Sequence, residues 1–427
     1  MRHLADPFQR RGAHLLGGTC LLALTLASLS ARSAAVLAQQ APDPVRINTN
    51  FEGASLGIVE KLDDTRFRLH VPGQYDERGH NRQCTWYFFR MDHVRNRDLT
   101  LTLTDVVGEY NDKPGAVAMN ADTVPVYSSD GKHWRHFPEM EWDNERKEAT
   151  LKIKPDSESL WVAHIPPYTP RDLAALLADV DRSPHARVEV IGKSVQGRDL
   201  NLVTVTDPDV PDAQKKTLWL QSRQHAWEAG TSYVMEGALR FLTSDEAGAR
   251  ELRRKVVFKL MPMGDPDGCA SGKVRFNANG FDVNRHWDEV DLRRKEFLER
   301  MPEIWYQKKA ILAQADSGRP IDLLVNMHNT ETGEYVDTLA DDPASRALVT
   351  RFFDRLVEHT IFDPSKPPTF AAGGGTTNVL YAEKKIPVVL MELRIGTTKK
   401  IGRRPTVEDR LKFGRQIVEQ MAASVLQ

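Results

Sequence analysis

His225 and Glu228 stand three residues apart in Gln224-His225-Ala226-Trp227-Glu228, between an apolar run, Leu218-Trp219-Leu220, and a helix-like segment, Ala229 to Leu242. At a strand-to-helix turn this spacing puts an imidazole and a carboxylate on one side, where both reach a single metal ion. A third ligand has to come from elsewhere in the chain. His328 is the candidate, because it ends the apolar run Leu323-Leu324-Val325-Asn326-Met327. Two histidines and a glutamate are a known ligand set of zinc hydrolases, which leave a fourth position for water. Alone, His-x-x-Glu is equally the pattern of a core histidine followed by a glutamate that favours a helix N-terminus.

The elements that must position these residues are legible as an α/β pattern from about residue 171. Strand-like runs occur at Arg187–Ile191, Leu200–Val205, Thr217–Gln221, Lys255–Met261, Ile321–Met327 and Pro387–Glu392. Helix-like stretches fall at Leu173–Val180, Ser232–Leu242, Leu292–Leu312, Ala344–Phe362 and Val407–Val425, with Pro302 splitting the third of these. In such sheets functional groups gather at the carboxyl ends of strands. His225, Asp265, His328 and Glu392 all fall at such ends.

Residues 43–165 read differently. Short β-branched and aromatic runs (Arg66–Val71, Cys84–Met91, Leu99–Asp105, Thr123–Tyr127, Ala149–Ile153, Leu160–Ile165) are separated by turn signals such as Pro72-Gly73 and Ser129-Asp130-Gly131. That pattern predicts an antiparallel β-sandwich. The aromatic cluster Trp86-Tyr87-Phe88-Phe89 is expected to fill a core rather than to bind a ligand. Ile165-Pro166-Pro167-Tyr168-Thr169-Pro170 marks the boundary, and the second domain is expected over 171–427.

The chain has 427 residues, 41% hydrophobic and 27% charged, with a net charge of −1. A near-neutral balance excludes a broad basic field for nucleic acid. Arg2, Arg10 and Arg11, the apolar Leu15–Leu29 and the small-residue ending Val36-Leu37-Ala38 predict a signal peptide over 1–38. The expectation is therefore an exported protein, periplasmic or extracellular, with no stable membrane insertion after cleavage. Cys84 and Cys269 then remain, and the sequence leaves open whether they pair.

A second stretch adds to the histidine pattern: Pro266-Asp267-Gly268, then Arg275, then Gly280-Phe281-Asp282-Val283-Asn284-Arg285. Downstream of His-x-x-Glu, this resembles the zinc metallocarboxypeptidase family of the carboxypeptidase A type. Ile191 to Arg198 resembles that family's opening strand and turn. Trp86 to Arg90 and Pro167-Tyr168-Thr169 resemble the N-terminal β-domain of the cytosolic carboxypeptidase subfamily. The resemblance implies a mixed-sheet α/β catalytic domain behind the sandwich. It also implies one Zn2+ per chain on His225, Glu228 and His328, with peptide or protein C-termini as partners. Arg285 with Asn284 would grip the terminal carboxylate. Arg275 would stabilise an oxyanion. Asp282 would hold a zinc-ligating histidine from behind. Glu392 would be the general base. Thr376, Thr377 and Asn378 would line the side-chain pocket, after Gly373-Gly374-Gly375. One departure stands out: Phe370 falls where the family has a mobile tyrosine, and a phenylalanine donates no hydrogen bond.

The basic run Arg394, Lys399, Lys400, Arg403 and Arg404 suggests a preference for acidic, glutamate-type ends. Two rival functions share the pattern. One is a peptidase or amidohydrolase acting on peptidoglycan stem peptides with the same metal site. The other is a binding protein with an inactive site, which predicts a missing ligand or base.

Overall fold

The structure is a computed structural model and describes residues 43–370 and 377–426. The fourteen strands before residue 165 are two to six residues long and pair almost wholly antiparallel, as the frequent turn signals dictate, and the last, Ser159–Ala163, closes the module. They form two five-stranded sheets and a small four-stranded one. One pair departs from the antiparallel rule: Arg66–His70 runs parallel to Leu99–Thr104.

The sandwich core shows period-two patterning directly. Leu99, Leu101 and Leu103 of Leu99–Thr104 point inward, with Thr100 and Thr102 between them half-buried. In the facing sheet, alternation divides the aromatic cluster between two cores. Tyr87 and Phe89 join the sandwich core, whereas Trp86 and Phe88 join the same apolar cluster as Trp227 and the helix Pro170–Val180. All four rings are buried, so the cluster is packing. The sheet carrying Phe88–Asp92 and Ser159–Ala163 is thus covered on both faces.

Thr169 caps Pro170–Val180 with a reciprocal capping box through Asp172. A seven-stranded mixed sheet follows, in the order Ala186–Lys193, Asp199–Val205, Val256–Met261, Lys216–Ser222, Leu323–Thr330, Val388–Arg394, Tyr335–Asp337. The four strands from Val256–Met261 to Val388–Arg394 are mutually parallel; the flanking pairs are antiparallel. The parallel strands read as apolar runs because both faces are covered. On one face lie the helices Ala229–Leu242, Pro343–His359 and Val407–Val425; on the other, Pro302–Ala315. Ala229–Leu242 and Val407–Val425 touch through Gly237 and Gly414, where a Cβ would sit on the other helix's backbone carbonyl.

Alternation along the central strands separates packing from chemistry. Val325 and Met327, beside Val389 and Met391, belong to the large apolar cluster under the helices. Their neighbours alternate to the other face, where apolar Leu324 and Val388 give way toward the carboxyl ends to Asn326, His328 and Glu392. Cys84 and Cys269 are both buried, and among the described residues both are free. Burial pushes their thiols up to about 11 and about 12. Among the described residues, no helix is long and apolar enough to cross a membrane.

Candidate metal centre and active site

His225 and Glu228 lie in the turn between the strand Lys216–Ser222 and the helix Ala229–Leu242, and His328 lies near the end of the adjacent parallel strand. The three are buried, with ligand atoms all within 4.8 Å of one another. Glu228 Oε1 stands 2.7 Å from His225 Nδ1, and its Oε2 stands 2.9 Å from His328 Nδ1. Asp282 Oδ1 is 3.1 Å from His225 Nε2. A proton held on Nε2 leaves the Nδ1 lone pair facing Glu228 and His328, as a metal ligand requires. Two imidazole nitrogens and a carboxylate converging in a buried site suit zinc.

Asp282 links two functional groups. Its other oxygen, Oδ2, accepts a bond of 2.6 Å from Arg275 Nε. Burial opposes ionisation of this carboxyl, but the Arg275 guanidinium and His225 hold it well below the usual range. Glu228 behaves alike: against burial, the two histidines lower it to about 2. Glu392 is the opposite case. It pairs with His328 across the parallel strands, so both side chains share a face. Burial, then the Glu228 charge, push its carboxyl well above the ordinary value, and among the described residues its Oε2 has no hydrogen-bond partner. A divalent cation would draw that value back down.

Arg285 is exposed in the cleft between the two domains, with Arg275 and Asp282 on one wall and Asp76, Glu77 and Tyr110 of the sandwich module on the other. It makes no ion pair within 4.0 Å among the described residues; its Nη1 donates only to the Asn284 carbonyl, at 2.9 Å. The turn that presents it needs Gly280, whose φ is +88° and whose missing Cβ leaves room for the backbone of Glu77. Thr377 and Asn378 are buried at the start of the helix Val379–Lys384. Gly373 to Thr376 lie outside the described residues. Asp265, at a strand end, is not part of the metal cluster: its Oδ1 caps the short helix Pro266–Ala270 through Gly268 N at 2.9 Å.

The basic run after Glu392 is mostly spoken for. Arg394 and Arg404 both pair with Asp122 of the sandwich module, at 3.0 and 3.2 Å. Arg403 pairs with Asp409, and Lys400 Nζ donates to backbone carbonyls of Val357 and Thr360. Phe370 is half-buried, with the Arg346 guanidinium 4.3 Å above its ring.

Several residues at the site escaped the sequence reading. Asn326 Nδ2 lies within bonding distance of Gln224 Oε1 (2.9 Å), Thr377 Oγ1 (2.9 Å) and Asn284 Oδ1 (3.3 Å), a buried hub beneath the cleft. Its signal was there: a polar residue inside an apolar strand, two positions from His328 and hence on its face. Gln74 of the sandwich module gave none. Its Oε1 accepts from the backbone N–H groups of Val274, Arg275 and Phe276 at 3.0, 2.8 and 3.0 Å, while its Nε2 donates to Phe276 O at 2.6 Å. Glu331, three residues beyond His328, is pushed up to about 7 by burial, with the Glu228 charge adding to the effect.

Comparison with known proteins bears on this arrangement. Residues 173–331 match the zinc carboxypeptidase family, and residues 47–165 match the cytosolic carboxypeptidase N-terminal domain. Cytosolic carboxypeptidase 2 of Macaca fascicularis is 30% identical over 286 residues, which cover 62% of this chain and 32% of that protein. Cytosolic carboxypeptidase 3 of Mus musculus is 24% identical over 322 residues, 70% of this chain and 30% of that protein. The chain therefore spans about a third of the length of these curated relatives. A metallo-carboxypeptidase from Burkholderia cenocepacia has the same fold, with a TM-score of 0.78 at 23% identity, over 90% of this chain and 99% of that one. The export expectation is corrected by these relatives. They are carboxypeptidases of the cytosol by name, which overturns a periplasmic or extracellular reading, and the segment 1–38 that suggested it lies outside the described residues. With two histidines and a glutamate placed to hold zinc, the chain carries a zinc carboxypeptidase domain over residues 173–331 and, ahead of it, the N-terminal domain of the cytosolic carboxypeptidases over residues 47–165.

Proposed function

We propose that the protein is a zinc metallocarboxypeptidase that removes the C-terminal residue of peptides or proteins. The observation that carries this is Arg285: an exposed guanidinium with no acidic partner among the described residues, in the same cleft as Arg275 and Asp282 beside the metal ligands. A planar guanidinium takes a carboxylate with two parallel charge-assisted bonds. An enzyme that must hold a free terminal carboxylate trims ends and leaves internal bonds alone.

The remaining roles follow from the same geometry. Zinc, when bound at His225, Glu228 and His328, supplies a Lewis acid that makes water a better nucleophile and polarises a carbonyl. Glu392, on the face of His328, takes the proton from the attacking water and delivers it to the leaving amine. Arg275, oriented by Asp282 through Nε, keeps its terminal nitrogens for the oxyanion that forms on the scissile carbonyl. Asn284, held by Asn326, lies next to the carboxylate grip.

A preference for acidic ends is the finer part of the proposal. Its support is the polar, uncharged pair Thr377 and Asn378 and the two guanidiniums of the cleft. The run Arg394–Arg404 adds little, because its arginines are neutralised by Asp122 and Asp409. The cell-wall alternative loses its premise with the export expectation.

The test is metal content together with release of end residues from peptides ending in Glu, Lys, Phe and Ala, for the wild type and Glu392→Gln. One zinc per chain is expected in both proteins, with kcat lower by roughly 10²- to 10⁴-fold in the variant. Unchanged turnover in Glu392→Gln, or no zinc under metal-replete conditions, would refute the mechanism.

A further inference from the structure

The strand pairing places one more side chain beside the base. Tyr335 lies directly opposite Glu392 in the antiparallel pairing of Tyr335–Asp337 with Val388–Arg394, and His328 lies directly opposite Glu392 on the other side. Residues directly opposite in a ladder project to the same face, with Cβ atoms about 4.5–5.5 Å apart. His328, Glu392 and Tyr335 therefore form one transverse row across three neighbouring strands: a metal ligand, a carboxylate and a phenol. Val336, the next residue, alternates away into the apolar cluster with Met391, as the row requires.

The ring is held and the hydroxyl is not. Lys366 Nζ stands 4.5 Å above the ring of Tyr335 and 3.6 Å from Asp337 Oδ1, which fixes the end of the edge strand. Among the described residues the Tyr335 hydroxyl makes no hydrogen bond. Tyr335 is half-buried, and Glu392 stands beside it in the row, with His328 and its Glu228 contact beyond. The phenol therefore lies on the face of the sheet that carries the Glu392 base and the metal ligand His328. The last residue of a bound peptide, with its scissile bond at Glu392 and its carboxylate at Arg285, must lie over that face. Phe370, where a mobile tyrosine was expected, has no hydroxyl and packs under Arg346.

We propose that Tyr335 is a further substrate-contacting residue, whose hydroxyl donates a hydrogen bond to the terminal carboxylate beside Arg285. The inference rests on the carboxypeptidase reading. It assigns a fixed donor, built into the sheet edge, to a chain whose residue 370 cannot supply one.

The test uses the zinc-loaded full chain and Tyr335→Phe, which keeps the ring and its Lys366 contact. Two probes are compared by calorimetry: N-benzoylglycine, which has a free carboxylate, and N-benzoylglycinamide, which lacks it. Peptide hydrolysis is measured in parallel. In Tyr335→Phe the acid is expected to bind about ten- to a hundredfold more weakly, the worth of one hydrogen bond to a charged group. KM should rise by the same factor. The amide should bind unchanged, and kcat and zinc content should stay close to wild type. A general distortion of the site would weaken both probes alike. If Tyr335→Phe binds the acid as the wild type does while Arg285→Ala loses it, the Tyr335 assignment falls and the carboxypeptidase reading stands. A fall in kcat with KM unchanged gives the hydroxyl to Glu392 instead and also overturns the assignment. If the wild type prefers the acid no more than the amide, the carboxypeptidase reading fails and the Tyr335 assignment fails with it.

Discussion

His164 is a residue at which acid should act on the fold. It is fully buried between Tyr87 and Trp227, with ring centroids 5.4 and 5.8 Å away, where the sandwich meets the enzyme domain. Burial lowers its pKa from 6.5 to about 3. Below pH 6.5 the unfolded chain takes up this proton and the folded chain does not, so stability falls as pH drops toward 3. A shift of this size is worth up to about 5 kcal/mol when fully expressed. His164→Phe should therefore lose less stability than the wild type between pH 6.5 and 3, as followed by denaturant midpoints across that range. Parallel curves for the two proteins would rule out His164 as a source of acid sensitivity. The individual residues also show where sequence reasoning stops. His225, Glu228 and the Asp282–Arg285 stretch are short-range patterns, and their chemistry is stated by type and spacing. Tyr335 matters only because of what lies opposite it, and pairing register is invisible until the strands are in place.

At the scale of elements, the short strand Gln74–Tyr75 does more than close a small sheet. Gln74 pins the three backbone N–H groups that carry Arg275. Gln74→Leu leaves these half-buried donors without their acceptor, at about 1 kcal/mol. It should lower kcat/KM by roughly tenfold, while zinc content is unchanged. In a double-mutant cycle with Arg275→Ala the two losses should not add, because the first acts through the second. Additive losses would mean that Gln74 supports something other than Arg275. The elements that were legible are the apolar central strands and the periodic helices. Pro302 does separate Lys295–Arg300 from Pro302–Ala315. The helix Ala247–Lys255 was missed because it buries only Ala249 and Arg253, so no apolar stripe marks it. Tyr335–Asp337 and the two-residue strands of the front module are too short to show a period.

Across the whole molecule, Asp43–Gln427 forms one compact unit. The sheet with Phe88–Asp92 contributes Phe89 and Met91 to one core and Phe88 to the other. Asp122 adds a polar tie, accepting from Thr397 N at 2.7 Å and Thr397 Oγ1 at 2.6 Å besides its two arginines. The sandwich and the enzyme domain should unfold together. A calorimetric scan is expected to show a single transition, and a Phe88→Ala variant should shift that one transition rather than split off a second. Two resolved transitions in the wild type would contradict the shared core.

That doubly covered sheet also decides how such a protein can acquire new specificity. A lineage, or an engineer, cannot swap the front module for another as one swaps a detachable head, because the replacement would have to reproduce the underside of the enzyme as well as its own interior. Change has to come by rewriting the rim in place, at Asp76, Glu77 and Tyr110, where the side chains meet the cleft and owe nothing to either core.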